Sequence, residues 1–240
     1  MTRKPFLSVV IPVFNESKRI HNLIEISNYI KSKKFLSEII VVNDGSKDDT
    51  LKKINQLKNI HNLKIVSYVK NMGKGYAIKK GISEAAGKCI LFCDVDLSTP
   101  IQELDHFLPF INSYDIVMAT RRIKDSKLIA RQSTLREILG RAFTFLSQII
   151  LNLQISDFTC GFKLFSQNAA NEIFPLLTID RWGFDSELLF VAKKKGFRIR
   201  EVGVKWQNNP LTKVKFPNDI FISLSELIKI RINNFRAAYE

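Results

Sequence analysis

The sequence has few of the residues that build disulfide frameworks and structural metal sites. It contains three cysteines and three histidines in 240 residues. Cys89 and Cys93 lie on one predicted strand, roughly 13 Å apart at the rise of an extended chain, which is too far for a disulfide. Together with Cys160 they form no metal-binding spacing and no even set, so we expect a reducing compartment. The histidines show no ligand spacing and are expected at the surface.

The sequence also lacks long apolar runs and the usual phosphate-binding glycine motifs. Its first apolar stretch, residues 6–14, is too short for a signal peptide or a membrane span, so a soluble or peripheral protein is expected. Neither a Walker loop nor a Gly-x-Gly-x-x-Gly fingerprint occurs. Their absence argues against a P-loop enzyme and against a dinucleotide-binding protein.

Positive charge is what the sequence has in excess. There are 37 Lys and Arg residues against 23 Asp and Glu, a formal net charge of +14 at pH 7. Such an excess favours polyanionic partners, namely nucleic acid, an anionic membrane surface or phosphorylated small molecules. The 45% hydrophobic and 25% charged residues are ordinary for a globular protein. We therefore expect residues 1–240 to form one domain.

The pattern of apolar runs predicts strands that alternate with helices. The first five strands are predicted at residues 6–13, 38–43, 63–69, 89–93 and 115–120. Helices are predicted between the first four of them, at about 18–33, from 48 onward and at 74–86. Helical connections of this length join parallel strands. The sequence thus predicts a doubly wound α/β fold with a mostly parallel sheet and helices on both faces.

Two aspartates directly follow the fourth predicted strand. Because side chains alternate on an extended chain, Asp94 and Asp96 point the same way and can bind one charged object. Mg²⁺ or Mn²⁺ on a diphosphate suits such a pair, since these hard cations take one or two carboxylates plus phosphate oxygens. The alternative is an Asp-rich turn that caps a helix near Pro100.

Polar clusters follow the other early strands as well. Residues 12–16, 43–46 and 71–75 come after the first, second and third strand. Ligands bind outside the carboxyl ends of the strands in folds of this kind, so these loops and the aspartate pair are expected to form one site. Each loop alone is also explained as a tight turn or a helix entry.

The second half of the chain combines basic and apolar segments. Between Arg121 and Arg141 there are seven Lys or Arg against two acids, and no strand alternation is seen. An apolar helix is predicted at 138–155 and an amphipathic helix at 218–240. We expect the first to seat in a membrane interface and the second to lie on the membrane or pack against the first. A buried helix beside a solvated basic loop is the alternative.

Seven segments together resemble the family 2 glycosyltransferases of the GT-A fold, over nearly the whole chain. The segments Asp157–Phe165, Arg181–Leu189 and Glu201–Trp206 resemble the branch that glycosylates lipid phosphates, most closely the polyprenyl- or dolichyl-phosphate β-glucosyltransferases and the dolichyl-phosphate mannose synthases. Val10–Glu16 and Val42–Ser46, with the loop at 71–75 and the aspartate pair, resemble the nucleotide-sugar site. Members of this family often carry an N-terminal membrane helix. The sequence shows no such helix, so we expect peripheral attachment, through the membrane surface or an anchoring partner protein.

The resemblance implies roles for individual residues. Donor-binding residues are expected to be Pro12, Val13, Glu16, Asp44, Lys74, Asp94, Val95 and Asp96. Asp94 and Asp96 are expected to hold the metal, and Arg121, Arg122, Arg131 and Lys163 the acceptor phosphate. Asp96, Asp157 and Asp185 are the expected catalytic residues. For Asp157 and Asp185, structural pairing with a basic residue such as Arg181 or Lys163 is the competing hypothesis.

The resemblance implies an inverting transfer of a hexose, glucose from UDP-glucose in the first instance, to a polyprenyl or dolichyl phosphate. A GDP-mannose-dependent enzyme, or a transferase acting on another glycan or lipid, is the alternative. The implied division is a nucleotide-sugar half at 1–120, an acceptor half at 121–216 and the helix at 217–240. A peripheral position on the cytoplasmic face of a membrane is expected. No nucleic acid is expected, because the basic run adjoins an apolar helix rather than exposed aromatics.

Overall fold

The structure, a computed structural model, describes residues 4–57, 60, 62–130, 132–209 and 218–240, with side chains from 222 onward in the last segment. The strands in these residues are β1 (Leu7–Val13), β2 (Ser37–Asp44), β3 (Leu63–Tyr68), β4 (Cys89–Cys93), β5 (Ile116–Thr120), β6 (Lys127–Ala130), β7 (Phe162–Ser166), β8 (Ile199–Gly203) and β9 (Lys205–Gln207). The α-helices are α1 (Asn22–Lys31), α2 (Thr50–Gln56), α3 (Lys74–Ser83), α4 (Leu104–Phe107), α5 (Thr134–Leu151), α6 (Gln167–Ile173), α7 (Phe184–Lys194) and α8 (Asn218–Phe235).

Seven strands form the central sheet, in the order β3-β2-β1-β4-β7-β5-β8. β7 runs antiparallel to both its neighbours, β4 and β5, and the other neighbouring pairs of this sheet are parallel. The mostly parallel sheet predicted from the sequence is therefore confirmed. Since β1, β2, β3 and β4 are all parallel, the loops that follow them meet at one edge of the sheet.

Helices cover both faces of the sheet, as predicted. Alternate residues of β1 join opposite cores: Val10 packs in the cluster that contains residues of α3, α6 and α7, whereas Val9 and Ile11 pack in the cluster that contains residues of α1 and α4. All three side chains are fully buried. Each such side chain stabilises the fold by about 2 kcal/mol, and together they fix which way each strand end points.

Two local expectations were wrong. α1 begins at Asn22 rather than near 18, because the preceding residues form a turn in which the backbone N–H of Arg19 donates to the carbonyl of Glu16 at 2.8 Å. The basic segment after Arg121, expected to contain no strand, contains β6. β6 pairs in parallel with β9 in a separate two-stranded sheet. Strands of four and three residues are too short to show alternation in the sequence.

α5 and α8 pack against each other, as one of the two sequence hypotheses for the last helix predicted. α5 lies four residues earlier than expected, and it ends where Asn152 adopts a left-handed conformation with φ of 52°. α8 ends at Phe235 rather than continuing to 240. Across the part of the chain that the structure describes, no helix combines the length and apolar character needed to cross a bilayer.

Candidate active site

Asp94 and Asp96 lie at the centre of a charged cluster directly after β4. The Nζ atom of Lys74 is 2.7 Å from Asp94 Oδ1, and Nη1 of Arg19 is 3.6 Å from Asp96 Oδ2. All five residues of β4 are buried, so the strand holds its end rigidly. The side chain of Asp94 is 37% exposed and that of Asp96 23%, so Asp94 is the more open of the two acids.

The donor atoms of this acid pair suit a divalent metal. Burial, with the charge of Asp94 beside it, raises the pKa of Asp96 above its usual value, which shows how concentrated the negative charge is. Among the described residues, no three or more Asp, Glu, His or Cys side chains are arranged to hold a metal. A Mg²⁺ or Mn²⁺ ion held by Asp94 and Asp96 would therefore take its remaining ligands from a diphosphate and water.

Asp44, at the end of β2, holds the loop that leads into α3. Its carboxylate accepts hydrogen bonds from the backbone N–H groups of Met72 and Gly73, at 2.7 and 2.9 Å, and from the side chain of Asn71 at 2.7 Å. The residue is only 3% exposed, and burial raises its pKa against the effect of these donors. Asp44 thus fixes the conformation of the predicted donor loop at residues 71–73. A contact between Asp44 and a nucleobase stays a prediction.

Lys74 is the first residue of α3, and the loop held by Asp44 delivers it to the acid pair. Burial lowers the pKa of Lys74, but the charges of Asp94, Asp185 and Asp96 outweigh burial and raise the pKa above its usual value. The residue before it, Gly73, has φ of 112°, a conformation that side chains rarely adopt. The predicted donor residue Lys74 is therefore in place beside the predicted metal ligands.

The first predicted donor loop lies next to the same cluster. Glu16 accepts two hydrogen bonds from the guanidinium of Arg19, both at 2.6 Å, and Arg19 also faces Asp96. The side chains of Val13 and Val95 are only 2% and 3% exposed and pack in the core, so these two predicted donor residues have only backbone atoms to offer a ligand. Pro12 is half-buried at the end of β1.

A second charged group follows β5. Arg121 makes a two-point ion pair with Asp157, at 2.6 Å from Nε and 2.8 Å from Nη2. Asp157 is fully buried, and although burial alone would raise its pKa, the charge and hydrogen bonds of Arg121 lower it to about 2. A direct contact between Asp157 and a substrate stays a prediction, and in the structure its carboxylate is occupied by Arg121. The structure assigns Asp157 the role of holding Arg121.

Arg121 also lines a cavity of about 200 Å³. Its walls combine cationic and apolar groups. They are formed by Arg121, Arg122, Leu128, Gln132, Glu137, Arg141 and Trp206. The Trp206 ring lies 5.3 Å from Arg121 Cζ, a distance at which a cation and an aromatic face attract. The short β6 and β9 supply Leu128 and Trp206, so the two-stranded sheet builds one wall of this cavity.

Arg136, on α5, is affected by charges from both groups. Burial and the positive charge of Arg121 lower its pKa, whereas the negative charge of Asp96 raises it. The backbone also joins the two groups, since the N–H of Gln207, next to Trp206, donates to the carbonyl of Ser98, two residues after Asp96, at 2.8 Å.

Lys163, predicted to hold the acceptor phosphate, is paired inside the protein, and its contact with a phosphate stays a prediction. Lys163 is fully buried on β7, and its ammonium donates to Asp185 at 2.5 Å and to the carbonyls of Phe158 and Cys160 at 3.1 and 2.8 Å. These three partners use all three ammonium hydrogens. Asp185 is likewise only 4% exposed and pairs with Lys163, which favours the competing hypothesis of structural pairing, while a catalytic contact of Asp185 stays a prediction.

Some site residues could not be found from the sequence, and one predicted residue lies outside the described residues. Arg131 is that residue. Arg19, Arg136 and Trp206 were not predicted as site residues, although Arg19 carries a local signal, since it lies three positions after Glu16 and can pair with it. Trp206 reaches the cavity through strand pairing between distant segments, which leaves no local pattern.

Comparisons with known proteins agree with this architecture. The family model described as glycosyl transferase family 2 matches residues 8–174. A dolichyl-phosphate beta-glucosyltransferase from Dictyostelium discoideum is 36% identical over 84% of this chain and 66% of its own length. The human protein of that name is also 36% identical, over 83% of this chain and 67% of its length. The chain thus spans about two thirds of the length of these relatives.

Solved structures show the same fold at low sequence identity. Glucosyl-3-phosphoglycerate synthase from Mycobacterium tuberculosis is 18% identical, with a TM-score of 0.68 over 95% of this chain and 80% of its own. That enzyme has also been crystallised in complex with Mn²⁺ and uridine diphosphate. The family model covers well over half of the chain, and the sheet, its loops and the acid pair match what the sequence predicted. The chain belongs to glycosyl transferase family 2.

Proposed function

We propose that this protein transfers glucose from UDP-glucose to the phosphate of dolichyl or polyprenyl phosphate, with inversion at the anomeric carbon. Support for the acceptor and the sugar comes from the relatives, which are named dolichyl-phosphate beta-glucosyltransferases. Support for a uridine donor comes from the structural neighbour crystallised with uridine diphosphate. The observation that carries the proposal is that the acid pair with Lys74 and the arginine-lined cavity lie on adjoining segments, since the backbone N–H of Gln207, next to Trp206, donates to the carbonyl of Ser98 at 2.8 Å.

The donor diphosphate belongs beside Asp94 and Asp96. Both carboxylates would hold Mg²⁺ or Mn²⁺, and Lys74 would add a further positive charge there. When bound, the metal neutralises the charge that develops on the departing diphosphate. Glu16 and Asp44, with the backbone at Pro12, Val13 and Val95, would bind the nucleoside. Nucleoside binding at these positions fits a donor held at the carboxyl ends of the strands.

The acceptor phosphate belongs in the cavity lined by Arg121, Arg122 and Arg141. Arginine suits this task, because its planar guanidinium binds phosphate oxygens at two points. Burial, with the neighbouring cations Arg121 and Arg141, lowers the pKa of Arg122 and indicates an excess of positive charge. Leu128 and Trp206 offer apolar walls for the first prenyl unit.

The reaction needs no strong general base. The second pKa of a phosphate monoester is about 6, so near pH 7 the acceptor is already largely an oxyanion. One of its oxygens attacks the anomeric carbon, a new carbon–oxygen bond forms, and the bond to the diphosphate breaks on the opposite face. UDP leaves with the bonding electron pair. The protein must mainly bring two anions together, which the arginines and the acid-bound cation make favourable.

An exposed apolar surface explains how a long prenyl chain reaches this site. The apolar face, as we call it, consists of side chains on α5 and α8 that are each at least 46% exposed: Leu135, Ile138, Phe145, Ile149, Ile228, Ile232 and Phe235. Lys229 and Arg231 are exposed on the same helix as the last three, and Arg236 is exposed directly after it. A helix pair with apolar residues and nearby cations suits the interface of an anionic bilayer.

The proposal also assigns a function to each part of the sequence and a location to the protein. Residues 1–120 would bind the donor, residues 121–216 the acceptor phosphate, and the helix within 217–240 would contact the membrane. Cys89, Cys93 and Cys160 are all free and buried, which fits the cytoplasmic face of a membrane. Attachment through an additional anchoring protein is compatible with the same face.

Sugar transfer to a short polyprenyl phosphate tests the proposal. We expect radiolabel from UDP-glucose to enter the organic phase with Mn²⁺ or Mg²⁺, and to stay in the aqueous phase with EDTA. GDP-mannose should label the lipid at least tenfold less than UDP-glucose does. The reason is that polar groups of a site built for one donor are left without hydrogen-bond partners when the other donor binds. The matching polyprenol without phosphate serves as the control. Hydrolysis of UDP-glucose without labelling of the lipid would overturn the acceptor, and preference for GDP-mannose would overturn the donor.

A further inference from the structure

Helix α8, which carries three of the seven residues of the apolar face, is hydrogen-bonded to a loop beside the donor site. Glu226, on α8, accepts a hydrogen bond from the backbone N–H of Gly183 at 2.8 Å. The side chain of Glu226 packs closely against Gly183 from its Cβ to its carboxylate. A β-carbon at position 183 would lie 2.5 Å from Glu226 Oε2 and 2.8 Å from its Cβ. Burial raises the pKa of Glu226.

The loop that Glu226 contacts lies directly against the start of α3. The carbonyl of Asp180 accepts a hydrogen bond from the backbone N–H of Tyr76 at 3.1 Å. A β-carbon added at Gly73 would lie 2.4 Å from the same carbonyl, and one added at Gly75 would lie 2.8 Å from the carbonyl of Ile179. The backbone of residues 179–183, which we call the bridging loop, therefore fits closely against both glycines that flank Lys74.

The contacts from α8 through the bridging loop to Lys74 are fixed at both ends. At one end Lys74 reaches Asp94 at 2.7 Å, so the position of the first turn of α3 sets the position of its ammonium. At the other end α8 is fixed in the core by Leu227 and Ile230, which are fully buried on the same side of the helix as Glu226. Ile228 and Ile232 are exposed on the other side, within the apolar face. One helix thus contacts the bridging loop and also presents apolar residues outward.

We propose that Glu226 is a positioning residue for the nucleotide-sugar site: it fixes the bridging loop from α8, and the loop fixes Lys74 beside Asp94. This inference rests on the proposed function, because it assumes that a nucleotide sugar binds at the acid pair. Glu226 contacts no predicted substrate atom itself. Removing its carboxylate leaves the N–H of Gly183 without its acceptor and loosens that end of the bridging loop, while Glu187 and Tyr76 still hold Ile179 and Asp180. This weakens donor binding more than it slows the chemical step.

Three variants separate positioning from simple folding. Glu226→Leu removes the acceptor and is expected to raise the KM for UDP-glucose by about tenfold, the equivalent of one lost hydrogen bond to a charged group, with kcat changed less than twofold. Glu226→Gln keeps a carbonyl oxygen at the same place and should restore KM to within about twofold of the wild type. Glu240→Leu removes an exposed acid from the same terminal segment and should leave KM unchanged.

Affinity for UDP in the presence of Mn²⁺, measured by calorimetry, provides a readout independent of turnover. It should fall about tenfold in Glu226→Leu and also in Gly183→Ala, whose methyl group would push Glu226 away. Thermal melting of each variant accounts for any loss of folded protein. If Glu226→Leu melts earlier but binds UDP like the wild type, the inference is overturned. If the wild type itself binds no UDP, the proposed function has failed instead.

Discussion

Gly161 leaves room for the carboxylate of Asp94. A β-carbon at position 161 would lie only 2.0 Å from Asp94 Oδ2, a distance at which one of the two must move. The backbone at Gly161 itself does not have a positive φ, so an alanine there is sterically allowed except for this contact. The space that glycine leaves is therefore part of the proposed metal site.

Gly161→Ala is expected to lower kcat/KM by about 100-fold, because a shift of about 1 Å in a positioning group costs that much. The free energy of unfolding should change little. Gly196→Ala is the matched control: nothing lies within 4 Å of a β-carbon there, but φ is 77°. It should lower the free energy of unfolding by about 1 kcal/mol and leave kcat/KM unchanged. Equal activity of the two variants would contradict the role of Gly161.

The buried ion pair of Asp157 and Arg121 makes stability depend on pH in the acid range. Asp157→Asn is expected to lower the free energy of unfolding by about 3 kcal/mol at pH 7, because it leaves Arg121 without its counter-charge. The pKa of Asp157 is lowered from 3.8 to about 2 in the folded protein. Its stabilising contribution is therefore complete above about pH 4 and is lost as the pH falls through about 2.

Urea unfolding of wild type and Asp157→Asn at pH 7 and at pH 2.5 measures this contribution, and the difference between the two proteins should shrink at the lower pH. Asp105→Asn is the control, since Asp105 pairs with Lys33 at 2.6 Å but its side chain is 52% exposed. A surface pair of that kind contributes at most about 1 kcal/mol. A difference for Asp157→Asn that is equally large at both pH values would show that the ion pair is not its source.

Helix α5 has apolar residues on its outer side as well as its inner side. Phe145 and Ile149 are 61% and 62% exposed, whereas Thr144, Ser147 and Leu151 face inward and are buried. The helix thus buries two small polar side chains and exposes large apolar ones. The hydroxyl groups of Thr144 and Ser147 donate to carbonyls one turn earlier, so their burial is satisfied. An outer apolar side of this kind indicates a contact with another apolar phase.

Replacing both Phe145 and Ile149 with Asp is expected to reduce sedimentation with anionic vesicles at least tenfold, because two charges would enter the bilayer interface. Binding of UDP with Mn²⁺ should be unchanged, since both side chains face outward and the ion-pair partners of the two acids are Lys74 and Arg19. Leu36→Asp is the control, as Leu36 is 51% exposed before β2 and outside the apolar face. Full vesicle binding by the double variant would remove the apolar face from the proposal.

Across the whole molecule, the order of strands, helices and loops could be predicted from the sequence. The burial of single side chains and the contacts between distant segments could not. The loops after β1 to β4 were placed correctly because each strand and helix has its own periodicity, and parallel order then brings the loops together. The burial of Lys163 could not be predicted, because a basic residue in a family motif looks the same in sequence whether it is buried or exposed. The contact between Glu226 and Gly183 spans 43 positions and leaves no local signal.

The excess positive charge acts on the molecule as a whole and predicts a salt effect. A net charge of +14 attracts an anionic surface over a distance set by the Debye length, about 10 Å at 0.1 M salt and about 3 Å at 1 M. Sedimentation with vesicles rich in anionic lipid should therefore exceed that with zwitterionic vesicles and should fall steeply between 0.05 and 0.5 M NaCl, by roughly tenfold or more. The binding that remains at high salt reports the apolar face alone.

In the double variant Phe145→Asp, Ile149→Asp, the binding at high salt should vanish. Its salt-dependent binding should persist but be weaker than that of the wild type. Binding that is indifferent to both salt and lipid charge would show that the basic surplus serves the acceptor cavity only.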